Sequence, residues 1–226
     1  VKPDIFHAIR LGANKGIIII QARPSGGNHL DQFRDRNGKQ VLNRNSPDFK
    51  DSGAIMLGAA SARVPHKRSF FSNYGSRVDV YGWGNAVDTT DAKPSEFTTN
   101  LYTSSFSGTS SASPIIAGAA ASIQGIAKNN QGKVYTPSQL RDILSDPSTG
   151  TKSNDPISDK IGVLPDLKAI LSKLGFSPNL GNDSSIVFPD EPEINKGNKG
   201  NEGSTITFPK EDSTNSEGDS TFIFPE

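Results

Sequence analysis

The segment 106–122, FSGTSSASPIIAGAAAS, joins a serine-rich turn to an apolar run with helical spacing. A serine hydroxyl in the first turn of a helix lies beside unpaired backbone N–H groups and the positive end of the helix dipole. If it attacks a carbonyl carbon, the serine's own N–H can bind the developing oxyanion, and Gly108 lets a substrate backbone approach closely. A well-capped helix that only packs uses the same residues. The pattern alone therefore leaves Ser110 with two interpretations, as a nucleophile or as a packing residue.

The composition of the 226-residue chain excludes several classes of function. There is no cysteine, which excludes a disulfide framework and fits either a cytosolic or an exported bacterial protein. Lys and Arg form no dense cluster, so we predict no nucleic-acid partner. Apolar runs stay well short of the roughly 18 residues that a membrane span needs. The first residue is Val rather than Met, and we expect the natural protein to begin further upstream.

The charge is divided unevenly along the chain. Residues 1–175 hold 21 Lys and Arg against 14 Asp and Glu, whereas residues 176–226 hold 3 against 10. The second segment is rich in Asn, Ser, Gly and Glu, a composition that cannot build a core, so we predict a disordered acidic tail. Three related islands, SIVFP at 185–189, TITFP at 205–209 and TFIFP at 221–225, interrupt it. They are either parts of a solvated tail without a partner or strand-adding motifs that dock on another surface.

Apolar periodicity in residues 1–175 predicts an alternation of helices and buried strands. Pro3 suits the first turn of a helix that runs to Ala13, and Gly16 suits its C-terminal cap. The run Ile17–Ile20 is of the kind that is buried on both faces of a parallel sheet. Further strands are predicted at 54–59 and 78–81, a loop at 23–53, and helices at 112–123, from Thr136-Pro137 to 144, and from Pro165-Asp166 to Gly175. This succession predicts an α/β fold.

The serine-rich segment closely resembles the catalytic-serine block of the subtilisin family, G-T-S-x-A-S-P-x-x-A-G. The matching residues are Gly108, Thr109, Ser110, Ala112, Ser113, Pro114, Ala117 and Gly118. Three further stretches are similar to that family: FSNYGSRVDVYGWG at 71–84, DSGAIMLGAA at 51–60 and DIFHAIRLGANKGIIIIQA at 4–22. The resemblance covers residues 1–175 as the C-terminal part of a serine endopeptidase domain and leaves out the tail at 176–226. It implies a subtilisin-like parallel sheet with helices on both faces, and a nucleophilic role for Ser110.

The resemblance also shows what the chain lacks. The family's order along the chain is Asp, His, Ser, with the Asp in D-[ST]-G and the His in H-G-T. No H-G-T occurs here, so the resemblance implies that acid and base lie upstream, in a missing N-terminal half of the domain. His7, His29 and His66 are predicted to be ordinary helix, loop and surface residues. Asp51, His66 and Ser110 have the family's order, but the loop at 22–28 precedes both supposed partners, so we predict that they form no triad.

The loop that should bind the oxyanion departs from the family's pattern A-A-G-N-G-G, whose Asn donates to the oxyanion. In QARPSGGNHLD, at 21–31, Ser25 aligns with that Asn, and Arg23 and Pro24 align with the second Ala and the Gly. Asn28 is an alternative donor if the loop shifts. Loss of the Asn donor costs roughly 10²–10³-fold in turnover in subtilisin. We therefore expect Ser25 to weaken the oxyanion site.

Two functions follow from these observations. The first is a serine endopeptidase, extracellular or on the cell surface, that hydrolyses polypeptides through an acyl-enzyme at Ser110. Without its base and its upstream strands, the 226-residue chain alone is predicted to be inactive and to fold poorly. The alternative is a catalytically inactive subtilase-like binding module with an adhesive or docking tail. Bound Ca²⁺ is common in the family, whereas no acidic loop here has a ligand spacing that identifies a metal site.

Overall fold

The computed structural model describes residues 3–22, 26–92 and 101–176, and the backbone at 185–186 and 206–207. Two compact units divide the chain, Val1–Ser177 and Pro178–Glu226. The helices are α1 (Pro3–Asn14), α2 (Thr109–Gln131), α3 (Pro137–Leu144), α4 (Pro156–Asp159) and α5 (Leu167–Lys173). The strands are β1 (Ile20–Ala22), β2 (Ile55–Ala60), β3 (Val80–Trp83), β4 (Val87–Thr90), β5 (Tyr102–Phe106), β6 (Gly150–Lys152), β7 (Val163–Pro165), β8 (Ser185–Ile186) and β9 (Ile206–Thr207).

A five-stranded sheet in the order β1-β2-β3-β7-β6 forms the centre of the first unit. The first four strands of this order run parallel, with Ile20 opposite Ile55 and Leu57 opposite Val80. Strand β6 closes the sheet by an antiparallel pairing with β7. Because parallel strands end at the same edge of a sheet, the turns that follow β1, β2 and β3 gather at one edge. The predicted α/β fold with a largely parallel sheet is confirmed.

Strand β2 is buried along its whole length, and its side chains alternate between two cores. Ile55 and Leu57 face α2, α3 and α5 in one core, whereas Met56 faces Leu42 and Tyr81 in the other. Helix α1 covers the second face, since Phe6 and Ile9 line a small cavity together with Leu42 and Met56. Helices therefore lie on both faces of the sheet, as expected from the resemblance.

The Ile17–Ile20 prediction is only partly correct. Strand β1 begins at Ile20, its three residues are half-buried, and Ile17 is 56% exposed. The reason is the position of β1 at the outer edge of the described sheet, where one side has no neighbouring strand. A run that is apolar enough for the centre of a sheet therefore lies at its edge in the described part of the chain.

Most helix ends follow the sequence signals, but α2 runs from Thr109 to Gln131, beyond the predicted range 112–123. Gly16 has φ +86 and follows α1, and Gly132 has φ +63 and caps α2. Thr136 and Gln139 form a reciprocal capping box at the start of α3, whose first residue is Pro137. At the last predicted helix, however, Pro165 ends β7 instead of opening the helix. Asp166 caps α5, because its carboxylate accepts the N–H of Ala169.

Part of the second unit is described by itself. Strands β8 and β9 pair antiparallel, with Ser185 opposite Thr207 and Ile186 opposite Ile206. Two of the three repeated islands thus pair as strands, with their isoleucines at opposite positions in the backbone register. The third island, at 221–225, and most of the predicted disordered tail lie outside the described residues.

Buried charges join the amino-terminal ends of β2 and β3. Arg77 is 1% exposed and donates to Asp79 at 2.7 Å and to the carbonyl oxygen of Ala54 at 2.8 Å. Asp79 also accepts the N–H of Met56 at 2.7 Å and a hydrogen bond from Arg44. Burial lowers the pKa of Arg77, and the Asp79 carboxylate opposes this shift. The guanidinium and the carboxylate therefore depend on each other for solvation.

We expect Asp79→Ala to destabilise the protein by about 3–5 kcal/mol, because it leaves the Arg77 guanidinium buried without its partner charge. The matched control is Asp48→Ala, which removes an exposed pair with Lys39 whose atoms are 3.5 Å apart and should cost about 0–1 kcal/mol. Urea denaturation of both variants measures the two free energies of unfolding. An equal loss of unfolding free energy in the two variants would show that the buried pair contributes no more to stability than the exposed pair.

Candidate active site

A glycine turn places Ser110 at the start of α2. Gly108 precedes the helix with φ +104, a conformation that disfavours other residues, and its N–H donates to the carbonyl oxygen of Gly84 at 2.9 Å. Ser110 is the second residue of this 23-residue helix and is exposed. Its hydroxyl therefore faces solvent in the first helical turn, where backbone N–H groups lack intrahelical acceptors.

The neighbour of Ser110 fixes this turn to the sheet. The Ser111 hydroxyl is fully buried and lies 2.9 Å from the carbonyl oxygens of both Trp83 and Gly108. At the next residue, α2 crosses β3 at backbone contact, since a Cβ atom at Gly82 would lie 2.8 Å from the carbonyl oxygen of Ala112. The start of α2 is therefore held against the carboxyl end of β3.

A hairpin that was not predicted from the sequence leads into the turn before Ser110. Strands β4 and β5 pair antiparallel, with Val87 opposite Phe106 and Thr90 opposite Tyr102. Tyr102 is 73% exposed and Phe106 is 38% exposed, so the aromatic side chains before Ser110 are accessible. The signal was the β-prone composition of VDTT and YTSSF, which a short strand shares with many loops. The connection at 93–100 lies outside the described residues.

The described part of the oxyanion loop begins at Gly26, because Arg23, Pro24 and Ser25 lie outside the described residues. The N–H groups of Gly26 and Gly27 both donate to the carbonyl oxygen of Phe71, at 2.9 and 3.0 Å. Gly27 has φ +61, and a Cβ atom there would lie 2.6 Å from the carbonyl oxygen of Phe70. Only glycine fits this position, in agreement with the two glycines of the family's pattern.

The structure places both the backbone and the side chain of Asn28, the alternative candidate for the oxyanion donor. Its backbone N–H donates to Oδ1 of Asn73 at 2.9 Å. Its side chain is exposed and folds back, so that Nδ2 lies where a Cβ atom of Gly26 would be. The carboxamide of Asn28 is thus next to the glycines of the loop.

Phe71 and Gly84 join the candidate oxyanion loop to the turn before Ser110. The carbonyl oxygen of Phe71 accepts the loop's glycine N–H groups, while its ring lies 3.4 Å from the place of a Cβ atom at Gly84. Gly84 in turn accepts the N–H of Gly108. The two parts of the candidate site are therefore linked by contiguous contacts.

The three histidines lie in three different environments, and none of them has a hydrogen bond to Ser110 in the described chain. His66 is 8% exposed, Nδ1 lies 2.8 Å from the carbonyl oxygen of Ser61, and the ring packs at 6.0 Å from Tyr81. The predicted surface position of His66 is therefore wrong, because the turn after β2 folds the ring against the sheet. His7 is on the exposed face of α1 and His29 is stacked at 4.8 Å on Tyr74 in a loop.

The supposed triad of Asp51, His66 and Ser110 is not assembled. Asp51 precedes β2 and binds Arg141 at 2.9 Å, whereas His66 follows the other end of that strand. The six residues of β2 lie between Asp51 and His66, and an extended strand of this length spans roughly 20 Å. Burial alone would raise the pKa of Asp51, but the hydrogen bond from Arg141 and the nearby Arg77 charge lower it. Asp51 is therefore a half-exposed neighbour of the buried charges at the amino-terminal edge of the sheet.

No three His, Cys, Asp or Glu side chains in the described ranges gather closely enough to hold a metal ion, and the Ca²⁺ expected from the resemblance stays a prediction. Within the same ranges, no helix combines the length and the apolarity that crossing a bilayer requires.

Comparisons with known proteins agree with the fold and the sequence motifs. Residues 6–175 match the Subtilase family, and since this match covers most of the chain, the protein belongs to the subtilase family. A search of curated proteins finds no match. The family prediction made from the serine block is thereby confirmed.

Several solved protease structures share the fold. The self-cleaved protease domain of PatA is 18% identical, with 77% of this chain and 56% of that chain covered and a TM-score of 0.54. A lanthipeptide protease is 18% identical, with 75% and 54% covered and a TM-score of 0.54. A protease from Pseudoalteromonas arctica is 24% identical, with 76% and 47% covered and a TM-score of 0.52. The chain thus spans about half the length of the structures that it matches.

We expect Gly82→Ala to destabilise the protein by about 1–3 kcal/mol, because the added methyl group would push α2 away from β3. Gly118→Ala is the matched control. Gly118 lies in α2, and a Cβ atom there would meet nothing within 4 Å. Gly118→Ala should therefore stabilise the protein by about 0.5–1 kcal/mol. Denaturant unfolding of both variants checks the two signs. A neutral Gly82→Ala would mean that the helix and strand are not in close contact.

Proposed function

We propose that this chain is the nucleophile-bearing part of a serine endopeptidase that cleaves polypeptides through an acyl-enzyme at Ser110. The observation that carries the proposal is the placement of Ser110, exposed on the first turn of a helix that packs on the sheet and linked through Gly84 and Phe71 to a glycine loop. Membership in the subtilase family supports the same conclusion.

In the proposed reaction, Oγ of Ser110 bonds to the carbonyl carbon of the scissile peptide. A general base takes the hydroxyl proton and returns it to the leaving amine as the C–N bond breaks. Water then hydrolyses the ester. The helix N-terminus, with the N–H of Ser110 itself, is suited to stabilise the oxyanion. A donor from the loop at 25–28 would complete the oxyanion site.

The base and the residue that orients it are proposed to lie outside these 226 residues. The support is that none of the three histidines hydrogen-bonds to Ser110 in the described chain, and that the chain spans about half of the structures it matches. The chain alone is then predicted to have residual activity only, since loss of the base costs about 10⁶-fold in subtilisin.

The first test is labelling of the full-length protein with a fluorophosphonate, followed by peptide mapping. We expect the label on Ser110, and Ser110→Ala should lose the label and about 10⁶-fold in turnover. Ser122→Ala is the control, because Ser122 is an exposed serine further along the same helix and should change neither readout. A wild-type protein that is not labelled at Ser110 would refute the proposed function.

A second test concerns the oxyanion donor. If Ser25 occupies the donor position, we expect Ser25→Asn to raise turnover, up to roughly 10²–10³-fold, with little change in KM. Asn28→Ala should then have a small effect. The opposite pattern, a large loss in Asn28→Ala and no gain in Ser25→Asn, would transfer the role to Asn28.

The second candidate function is a catalytically inactive binding module of the same fold. The oxyanion loop has Arg23, Pro24 and Ser25 where the family's pattern has Ala, Gly and Asn, and this difference favours the second candidate. A full-length protein that binds peptides without Ser110-dependent cleavage would support this candidate. Its tail would then act as the docking element, since two of its islands already pair as strands. In either case we propose an extracellular or cell-surface location, as inferred from the family.

A further inference from the structure

A clasp of hydrogen bonds holds the described part of the oxyanion loop. We use the name clasp for residues 69–74, which run alongside residues 26–30. The glycines at 26 and 27 donate to Phe71, the N–H of Leu30 donates to the carbonyl oxygen of Tyr74 at 2.7 Å, and the N–H of Tyr74 donates to Asn28 at 3.1 Å. The loop is thus bound to the clasp almost as one strand is to another.

At one position of the clasp, a side chain instead of a main-chain carbonyl group accepts the hydrogen bond from the loop. The carbonyl oxygen of Ser72 accepts from Arg68 at 3.1 Å, and its hydroxyl accepts the N–H of Ala59 at 2.9 Å. Ser72 is therefore committed to its own surroundings and to β2. The N–H of Asn28 instead donates to Oδ1 of Asn73 at 2.9 Å. The carboxamide of Asn73 stands in for a main-chain carbonyl at this position.

Asn73 is well placed to hold the loop rigidly. It is 7% exposed, and its neighbours Phe71 and Tyr74 hold the same loop through their main-chain atoms. On the other side of the clasp, the ring of Tyr74 lies between His29, at 4.8 Å, and the guanidinium of Arg68, at 4.1 Å. Asn28 follows the two glycines of the oxyanion loop, so a shift at Asn28 would also move Gly26 and Gly27.

We propose that Asn73 is a positioning residue, whose buried carboxamide sets the orientation of the oxyanion loop relative to Ser110. This inference rests on the proposed function, because the loop matters for catalysis only if Ser110 is the nucleophile. Asn73 acts through Asn28 and the loop's glycines and need not touch the substrate. The oxyanion forms only in the transition state, so the contribution of Asn73 belongs to kcat and not to KM.

The choice of side chain follows from this role. The position needs a hydrogen-bond acceptor, and Leu, which has a similar volume, offers none. Asp keeps an acceptor oxygen at the same distance along the side chain. Asn73→Leu therefore removes the hydrogen bond from Asn28, whereas Asn73→Asp keeps its acceptor and exchanges only the amide group for a carboxylate oxygen. Comparison of the two variants isolates the role of the acceptor.

The experiment measures kcat and KM of the full-length protein on a peptide substrate for both variants. We expect Asn73→Leu to lower kcat about 10- to 100-fold with KM changed by less than about twofold. Asn73→Asp should recover most of the loss. Tyr81→Phe is the control for stability, since it removes a hydrogen bond of 3.0 Å to the carbonyl oxygen of Thr151, outside the clasp. It should leave kcat unchanged.

Hydrogen exchange of the segment 26–30 in the same proteins gives a second readout that needs no turnover. We expect exchange there to be about tenfold or more faster in Asn73→Leu than in Asn73→Asp or Tyr81→Phe. A fall in kcat that Tyr81→Phe reproduces, a change in KM alone, or unchanged exchange at 26–30 would overturn the inference. If wild-type Ser110 is not labelled by fluorophosphonate, the proposed function fails, and exchange still decides whether Asn73 holds the loop.

Discussion

The candidate site depends on the close packing of α2 on β3, where the backbone of Gly82 meets Ala112. A side chain at position 82 would separate the two elements, so glycine is a steric requirement there. This contact, with the buried hydroxyl of Ser111, fixes the height of Ser110 above the sheet. Other parts of the site are arranged relative to that point: the turn at Gly84, the ring of Phe71 and the glycine loop that Phe71 holds. Small side chains in this region thus have a geometric purpose.

The sequence predicted the elements with a strong local signal. The C-terminal end of α1 and the start of α3 follow from Gly16 and the Thr136-Pro137 pair, because caps are decided by a few neighbouring residues. The end of α2 was placed at residue 123, whereas the helix runs to Gln131, because its last two turns are mostly polar. Strand β2 was found because a strand buried on both faces is a continuous apolar run. The hairpin β4–β5 was missed because its strands are short and exposed, so no apolar periodicity distinguishes them from a loop.

The site was predicted in part. The serine block located Ser110 at a helix start, since glycine and proline signals are local and the motif is long. The clasp could not be predicted, because a side-chain acceptor such as Asn73 and its donor at Asn28 are 45 residues apart. His66 was placed on the surface because charged residues follow it, whereas its burial depends on Tyr81 in another strand. Long-range contacts of this kind leave no pattern in a single sequence.

The buried charges of Arg77 and Asp79 lie at the opposite edge of the sheet from Ser110. They connect the starts of β2 and β3 to Ala54 and Arg44, while the candidate site is made by turns that follow the strand ends. The anchoring of the sheet and the shape of the site are thus controlled by different residues. Changes in the loops at the serine edge would therefore leave the contacts of this anchor in place. A loop graft at the serine edge would have to keep the close contacts at Gly27 and Gly82 and would leave the charged edge unchanged.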